Sequence, residues 1–146
     1  MNTNAHPDKL SIIVYSGMFD KVHYALVMAS AAAAVGRPVT LFFTMDACVV
    51  LEAEKDGSVA WAHMPVSQDA MSASELDADY GKRGIATFEE LMEACVAMDV
   101  KFMVCEMGLR ARGLEDEPLR DDIPLEEGGV VTFLNDASKD GAVIFV

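Results

Sequence analysis

Positive charge is scarce in this chain. Lysine and arginine number 11 against 24 aspartates and glutamates, which leaves a formal net charge of −13 over 146 residues. Phosphate binding needs a basic face, so this balance argues against nucleic acid and against an anionic membrane surface. Cysteine is sparse too: Cys48, Cys95 and Cys105 are odd in number and form no CxxC pair. Free thiols in a reducing, cytoplasmic setting are expected. The opening MNTNAHPDKL lacks the apolar stretch of a signal peptide. The longest apolar run, YALVMASAAAAVG (24–36), is too short for a transmembrane helix and rich in alanine, so no membrane insertion is expected. No G-x-G-x-x-G or Walker pattern supplies a phosphate cradle, and no His/Cys/Asp group has zinc-like spacing. Neither a cofactor nor a metal is expected. Internal repeats and low-complexity tracts are missing as well.

Apolar residues, in contrast, make up 52% of the chain, enough for a real core in one domain spanning 1–146. LSIIVYS (10–16) and VTLFFT (39–44) read as strands buried on both faces. Between them lies a helix with Val22, Leu26, Ala29 and Ala33 on one stripe, capped by Asp20 and stopped at Gly36. A short helix opens at MDACVVLEAE (45–54). Residues 55–86 lose the pattern and read as an irregular insertion; residues 1–8 read as a flexible N-terminus. Thr87 and Glu90 form a capping box before a helix with Phe88, Leu91, Met92, Cys95 and Val96 on its apolar stripe. VKFMVC (100–105) is the third strand, followed by a helical turn to Arg112 with Gly113 as its stop. The acidic stretch 115–127 reads as a solvated face, with a short strand expected near Ile123. A helix over 130–140 is expected to turn Val130, Phe133, Leu134 and Ala137 inward, before a last strand at 142–146. Strands alternating with helices give the α/β class, with a mostly parallel sheet of about five strands.

Ligands and reactive groups gather beyond the carboxyl ends of parallel strands. Three stretches end there: SGMFDK (16–21), TMDAC (44–48) and CEMG (105–108). A thiol that ends a strand and starts a helix lies near free N–H groups, which favour the thiolate. Unpaired cysteine is equally at home as a small buried hydrophobe, so for Cys105 both readings stay open. Cys95 lies on an apolar helix stripe and reads as core; core packing is also favoured for Cys48. A Cys/His pair through His23 or His63 is the weaker alternative. Residues 64–84 are read either as a mobile cover near Cys105, with Lys82 and Arg83 bringing positive charge, or as a partly helical connector.

The segment YSGMFDKVHYALVMASAAAAVGRPVTLFFT (15–44) resembles the opening of the DsrE/DsrF/DsrH-like family of sulfur-handling proteins, in its DsrE-like branch. LMEACVAMDVKFMVCEMGLRARGL (91–114) resembles the family's helix, strand and reactive cysteine, and EEGGVVTFLNDASKDGAVIFV (126–146) its Gly-Gly helix and closing strand. Asp99 stands where relatives commonly have a helix-ending glycine, and Gly108 where many have serine. The resemblance implies a three-layer α/β/α sandwich, a homo-oligomer (trimer or hexamer, with a dimer possible) and sulfur relay through a cysteine persulfide. Carried over, the reactive role falls on Cys105. Candidate substrate-binding residues at the strand ends are Ser16, Gly17, Lys21, Thr44, Cys48, Glu106, Met107 and Gly108. The expected partners are sulfur-donor and sulfur-acceptor thiols or proteins. The expected function is a sulfur carrier or sulfurtransferase; the alternative is a non-catalytic oligomeric binding module without covalent chemistry.

Overall fold

The computed structural model describes residues 5–68 and 71–146, so part of the tail expected over 1–8 lies outside the described residues. The β-branched and aromatic runs form strands β1 (Leu10–Val14), β2 (Val39–Phe43) and β3 (Lys101–Cys105). Strands β4 (Leu125–Gly128) and β5 (Ala142–Phe145) complete the sheet. The order is β4-β3-β2-β1-β5, and every neighbouring pair is parallel. The expected strand near Ile123 is displaced: Ile123 is buried, and the pairing starts at Leu125, opposite Phe102.

Side chains alternate along a strand, so the sheet has two distinct faces. One face carries Ile12, Val14, Leu41, Phe43, Phe102 and Val104 into the main core. Helices α1 (Phe19–Ala34) and α3 (Phe88–Ala97) cover it. The Thr87–Glu90 capping box is formed at the start of α3, satisfying N–H groups that the helix itself cannot. Asp99, just after α3, takes the left-handed conformation at φ 61°, which explains why glycine is the common residue at such a helix end. The other face carries Phe42, Met103 and Cys105 into a small cluster closed by Phe133. That residue comes from α5 (Val130–Asp136), the third layer.

Three local expectations are corrected. Met18, not Asp20, stands at the N-cap of α1. The Asp20 carboxylate instead accepts from the Ser67 N–H at 2.9 Å and from the Ser67 hydroxyl, tying the later segment to the helix start. In α5 only Phe133 is buried, while Val130 and Leu134 face outward. A seven-residue helix crossing a sheet touches it along one line, too narrow to bury both. Finally, the stretch 55–86 contains a 3-10 helix (Ala60–His63) and helix α2 (Ala73–Lys82). Its start is a second capping box, Ser72 with Glu75, and it turns Ala73, Leu76 and Tyr80 to the core. No helix among the described residues is long and apolar enough to cross a membrane.

Candidate functional site at the carboxyl ends of the strands

The segments following β1, β2 and β3 close on one another, and glycine permits it at two points. A Cβ at Gly17 would stand 2.8 Å from the Cβ of Asp46. A Cβ at Gly108 would run into the backbone nitrogen of Met45 and lie 3.0 Å from both the Cys48 sulfur and the Thr44 Cα. Between these contacts Met45 adopts φ 50°, a left-handed conformation that a non-glycine residue holds only when its surroundings enforce it. Met45 opens the 3-10 helix Met45–Leu51, which carries Cys48 inward.

Cys105 ends β3 and stands at the N-cap of α4 (Glu106–Ala111), as its place in the sequence implied. Its side chain does not meet solvent: Cys105 is 1% exposed, packed among Phe42, Met103 and Phe133. Glu106 and Met107 are exposed beside it, and Gly108 is buried below. The other two thiols are buried as well. Burial pushes Cys48 up to about 12, with the nearby Cys105 adding to the rise. Burial alone pushes Cys95 up to about 12, and its S–H points at the Leu26 carbonyl 3.9 Å away. Both are neutral thiols at neutral pH.

Neither histidine serves Cys105. His23 is buried between the rings of Phe19 and Tyr80 and donates from Nε2 to the Ala86 carbonyl at 2.9 Å. His63 shares a 2.6 Å hydrogen bond with the Ser58 hydroxyl. Among the described residues no group of three or more His, Cys, Asp or Glu could hold a metal ion. Helix α2 is no cover for Cys105 either. Tyr80 and Leu76 pack into the main core, on the face of the sheet opposite the Cys105 side chain. Arg83 is paired with Asp79 at 2.9 Å, one turn earlier in the same helix.

A cleft of about 880 Å³ opens at the carboxyl ends of β1 and β5. Three expected residues line it, Ser16, Gly17 and Lys21, together with Asp46 and Arg112, which sequence reading missed, and His63, which it had considered only as a partner for a cysteine. Thr44, Cys48, Cys105, Glu106, Met107 and Gly108 are not in its lining. The expected residues therefore divide into a frame around Cys105 and a cleft beside it. Asp46 joins the two: it follows Met45, whose nitrogen meets Gly108, and it borders Gly17 and pairs with Arg112 at 3.4 Å in the cleft. No local motif announces that pair, because its members come from separate strand-end segments.

Comparison with known proteins agrees with this architecture. The chain is 29% identical over 156 residues to the uncharacterized protein YrkE of Bacillus subtilis, covering 94% of this chain and 96% of that one. It is 26% identical over 158 residues to the sulfur carrier protein DsrE2 of Allochromatium vinosum, covering 94% and 98% of the two chains. The crystal structure of the ychN protein from E. coli superposes with a TM-score of 0.62 at 17% identity, over 95% of this chain and 99% of that one. At that identity the likeness is one of fold. The model of the DsrE/DsrF/DrsH-like family matches residues 6–145, nearly the whole sheet-and-helix framework described above, and the chain belongs to that family.

Proposed function

We propose that the protein is a sulfur carrier or sulfurtransferase that relays sulfane sulfur as a persulfide on Cys105, in a reducing, cytoplasmic setting. The observation that carries the reading is the position of Cys105. It ends a central strand, starts a helix, and lies in a small cluster that one short helix closes. Cys48 and Cys95 belong to the main core instead. A family that includes a named sulfur carrier supports the general role.

The chemistry is exchange at sulfur. The Cys105 thiolate attacks the outer sulfur of a donor persulfide, forming a new S–S bond as the donor's S–S bond breaks and its thiolate leaves. An acceptor thiolate then attacks the outer sulfur on Cys105, and the Cys105 thiolate is the leaving group. No electrons are gained or lost overall. Cys105 stands at the N-cap of α4 without a side-chain hydrogen bond there, and Gly108, three residues on, packs against Met45, Thr44 and Cys48. Because Cys105 is buried under Phe133, loading requires α5 to move. The test is intact mass after incubation with polysulfide. Gain of one sulfur atom, reversed by dithiothreitol and lost in Cys105→Ala, supports relay; the same gain in Cys105→Ala defeats it.

The exposed apolar residues favour a second reading, a non-catalytic oligomeric binding module. Val143, Val131 and Leu134 all face outward. Absence of any sulfur adduct, with self-association retained, would select it.

A further inference from the structure

Two arginines, Arg37 and Arg120, are partly withdrawn from solvent, and their surroundings differ. Arg120 is saturated by Glu89 and Asp122, at 2.6 Å and 2.7 Å from its Nη2. Arg37, just past the end of α1, has no hydrogen-bond or ion-pair partner for its guanidinium among the described residues. The carbonyls nearest in sequence are already engaged. Those of Ala31, Ala32 and Ala33 accept from the N–H groups of Val35, Arg37 and Gly36. A guanidinium drawn out of water without an acceptor is unfavourable, because it loses hydration and gains no bond in return.

Arg37 lines a groove of about 390 Å³ between the end of α1 and the amino ends of β1 and β5, within the size range of small-molecule sites. Its walls are aliphatic: Leu10, Met28, Ala31, Ala32, Val35 and Ala142. Lys9 lines it too, but is committed to Asp136 at 2.8 Å. The lining includes no carboxylate side chain and no aromatic ring. From this combination we propose that the groove is a binding site for a short aliphatic monocarboxylate. The carboxylate takes the Arg37 guanidinium, whose planar fork matches two oxygens at once. The alkyl chain lies along Met28, Ala32 and Val35, where a flat ring would find nothing to stack on. One unpaired base accommodates one negative charge, so a dianion would leave a charge uncompensated in apolar surroundings. The groove is at the opposite end of the parallel strands from Cys105, and its occupancy is independent of sulfur loading.

Hexanoate and its neutral isostere hexanamide are the probes, followed by chemical-shift titration on the full chain. Hexanoate should bind with a dissociation constant of about 5 mM or tighter, and the amide about tenfold more weakly. Arg37→Gln should weaken hexanoate about tenfold and abolish its preference over the amide. Val35→Glu, at a position 70% exposed, places an acid at the groove and should weaken hexanoate while leaving the amide nearly unchanged. Cys105→Ala should bind hexanoate as the parent does, which separates this proposal from sulfur relay. Absence of shifts at about 10 mM, equal binding of acid and amide, or unchanged affinity in both variants would overturn the proposal. So would shifts at Met28 and Val35 on diluting the ligand-free protein, since a second copy would then occupy the groove.

Discussion

Gly108 and Met45 touch backbone to backbone: there is no room for a side-chain carbon at Gly108 beside the Met45 nitrogen. The strained turn at Met45 (φ 50°) occupies the space that a side chain would need. The contact also fixes the Cys48 sulfur, 3.0 Å from where that carbon would be. Gly108→Ser should therefore cost about 1–3 kcal/mol, as overpacking of a tight site does. Urea denaturation reads this as a lower midpoint with an unchanged slope. A midpoint equal to the parent's would mean that the turn relaxes without cost.

Phe133 is the only buried residue of α5, and its ring stacks on Phe42 with centroids 5.0 Å apart. It also closes the cluster over Cys105. Removing the ring takes away the one buried apolar side chain that holds α5 against the sheet, so local opening becomes easier than global unfolding. Phe133→Ala should raise the alkylation rate of Cys105 by about tenfold or more, and leave Cys95 protected. Brief iodoacetamide treatment with peptide mapping measures both. Equal acceleration of the two cysteines would show global destabilisation instead.

This cover explains where sequence reading stops. The positions of Cys105, Thr44, Ser16 and Gly17 follow from strand ends, because continuous β-branched runs are visible in one dimension. Their burial does not follow. Whether Cys105 is open or closed depends on Phe133, 28 residues on (133 − 105), reaching back across the sheet. Val130 and Leu134 share the helical period of Phe133, and nothing local distinguishes the one residue that finds the sheet. Helix α2 escaped for a different reason. Its S-x-x-E signal at Ser72–Glu75 is present, but Ala73, Leu76 and Tyr80 make too thin a stripe to stand out among Ser and Asp. The members of the cleft, Asp46, His63 and Arg112, are united only by the fold.

The C-terminal end of α5 is fastened by charge. The Asp136 carboxylate accepts from Lys9 at 2.8 Å, Thr40 at 2.6 Å and Lys101 at 2.9 Å. Burial by itself would raise this carboxyl; the three donors outweigh it and hold the group well below the usual carboxylate range. A depressed folded-state pKa contributes stability that is complete above the unfolded value, near 4, and is lost as pH falls through the folded value. Asp136→Asn should thus be less stable than the parent at neutral pH by about 1–3 kcal/mol, and the gap should narrow in strong acid. Chemical denaturation at pH 7 and pH 3 tests the sign. A gap that widens on acidification would contradict the assignment.

Self-association is the last expectation, and it rests on what α5 leaves uncovered. The helix lies over β2 and β3, through Phe42 and Met103, with Ile13 of β1 at the margin of that cluster, and leaves β5 exposed. Val143 on edge strand β5 is 50% exposed there, while Val131 and Leu134 on the outer side of α5 are 71% and 59% exposed. Scattered exposed apolar residues are ordinary, but these lie on the same side of the molecule, that of α5, and a second copy would remove them from water at about 25 cal/mol per Å² of apolar area. An edge strand with apolar side chains also invites pairing, and β5 carries no charged residue to discourage it. Light scattering should give a multiple of the 15.8 kDa chain mass, with a trimer or hexamer expected. Val131→Glu combined with Val143→Glu should return the mass to 15.8 kDa with an unchanged far-ultraviolet spectrum, since both side chains already face water in the protomer. A parent protein that stays at 15.8 kDa across micromolar concentrations would mean that this layer serves some other contact.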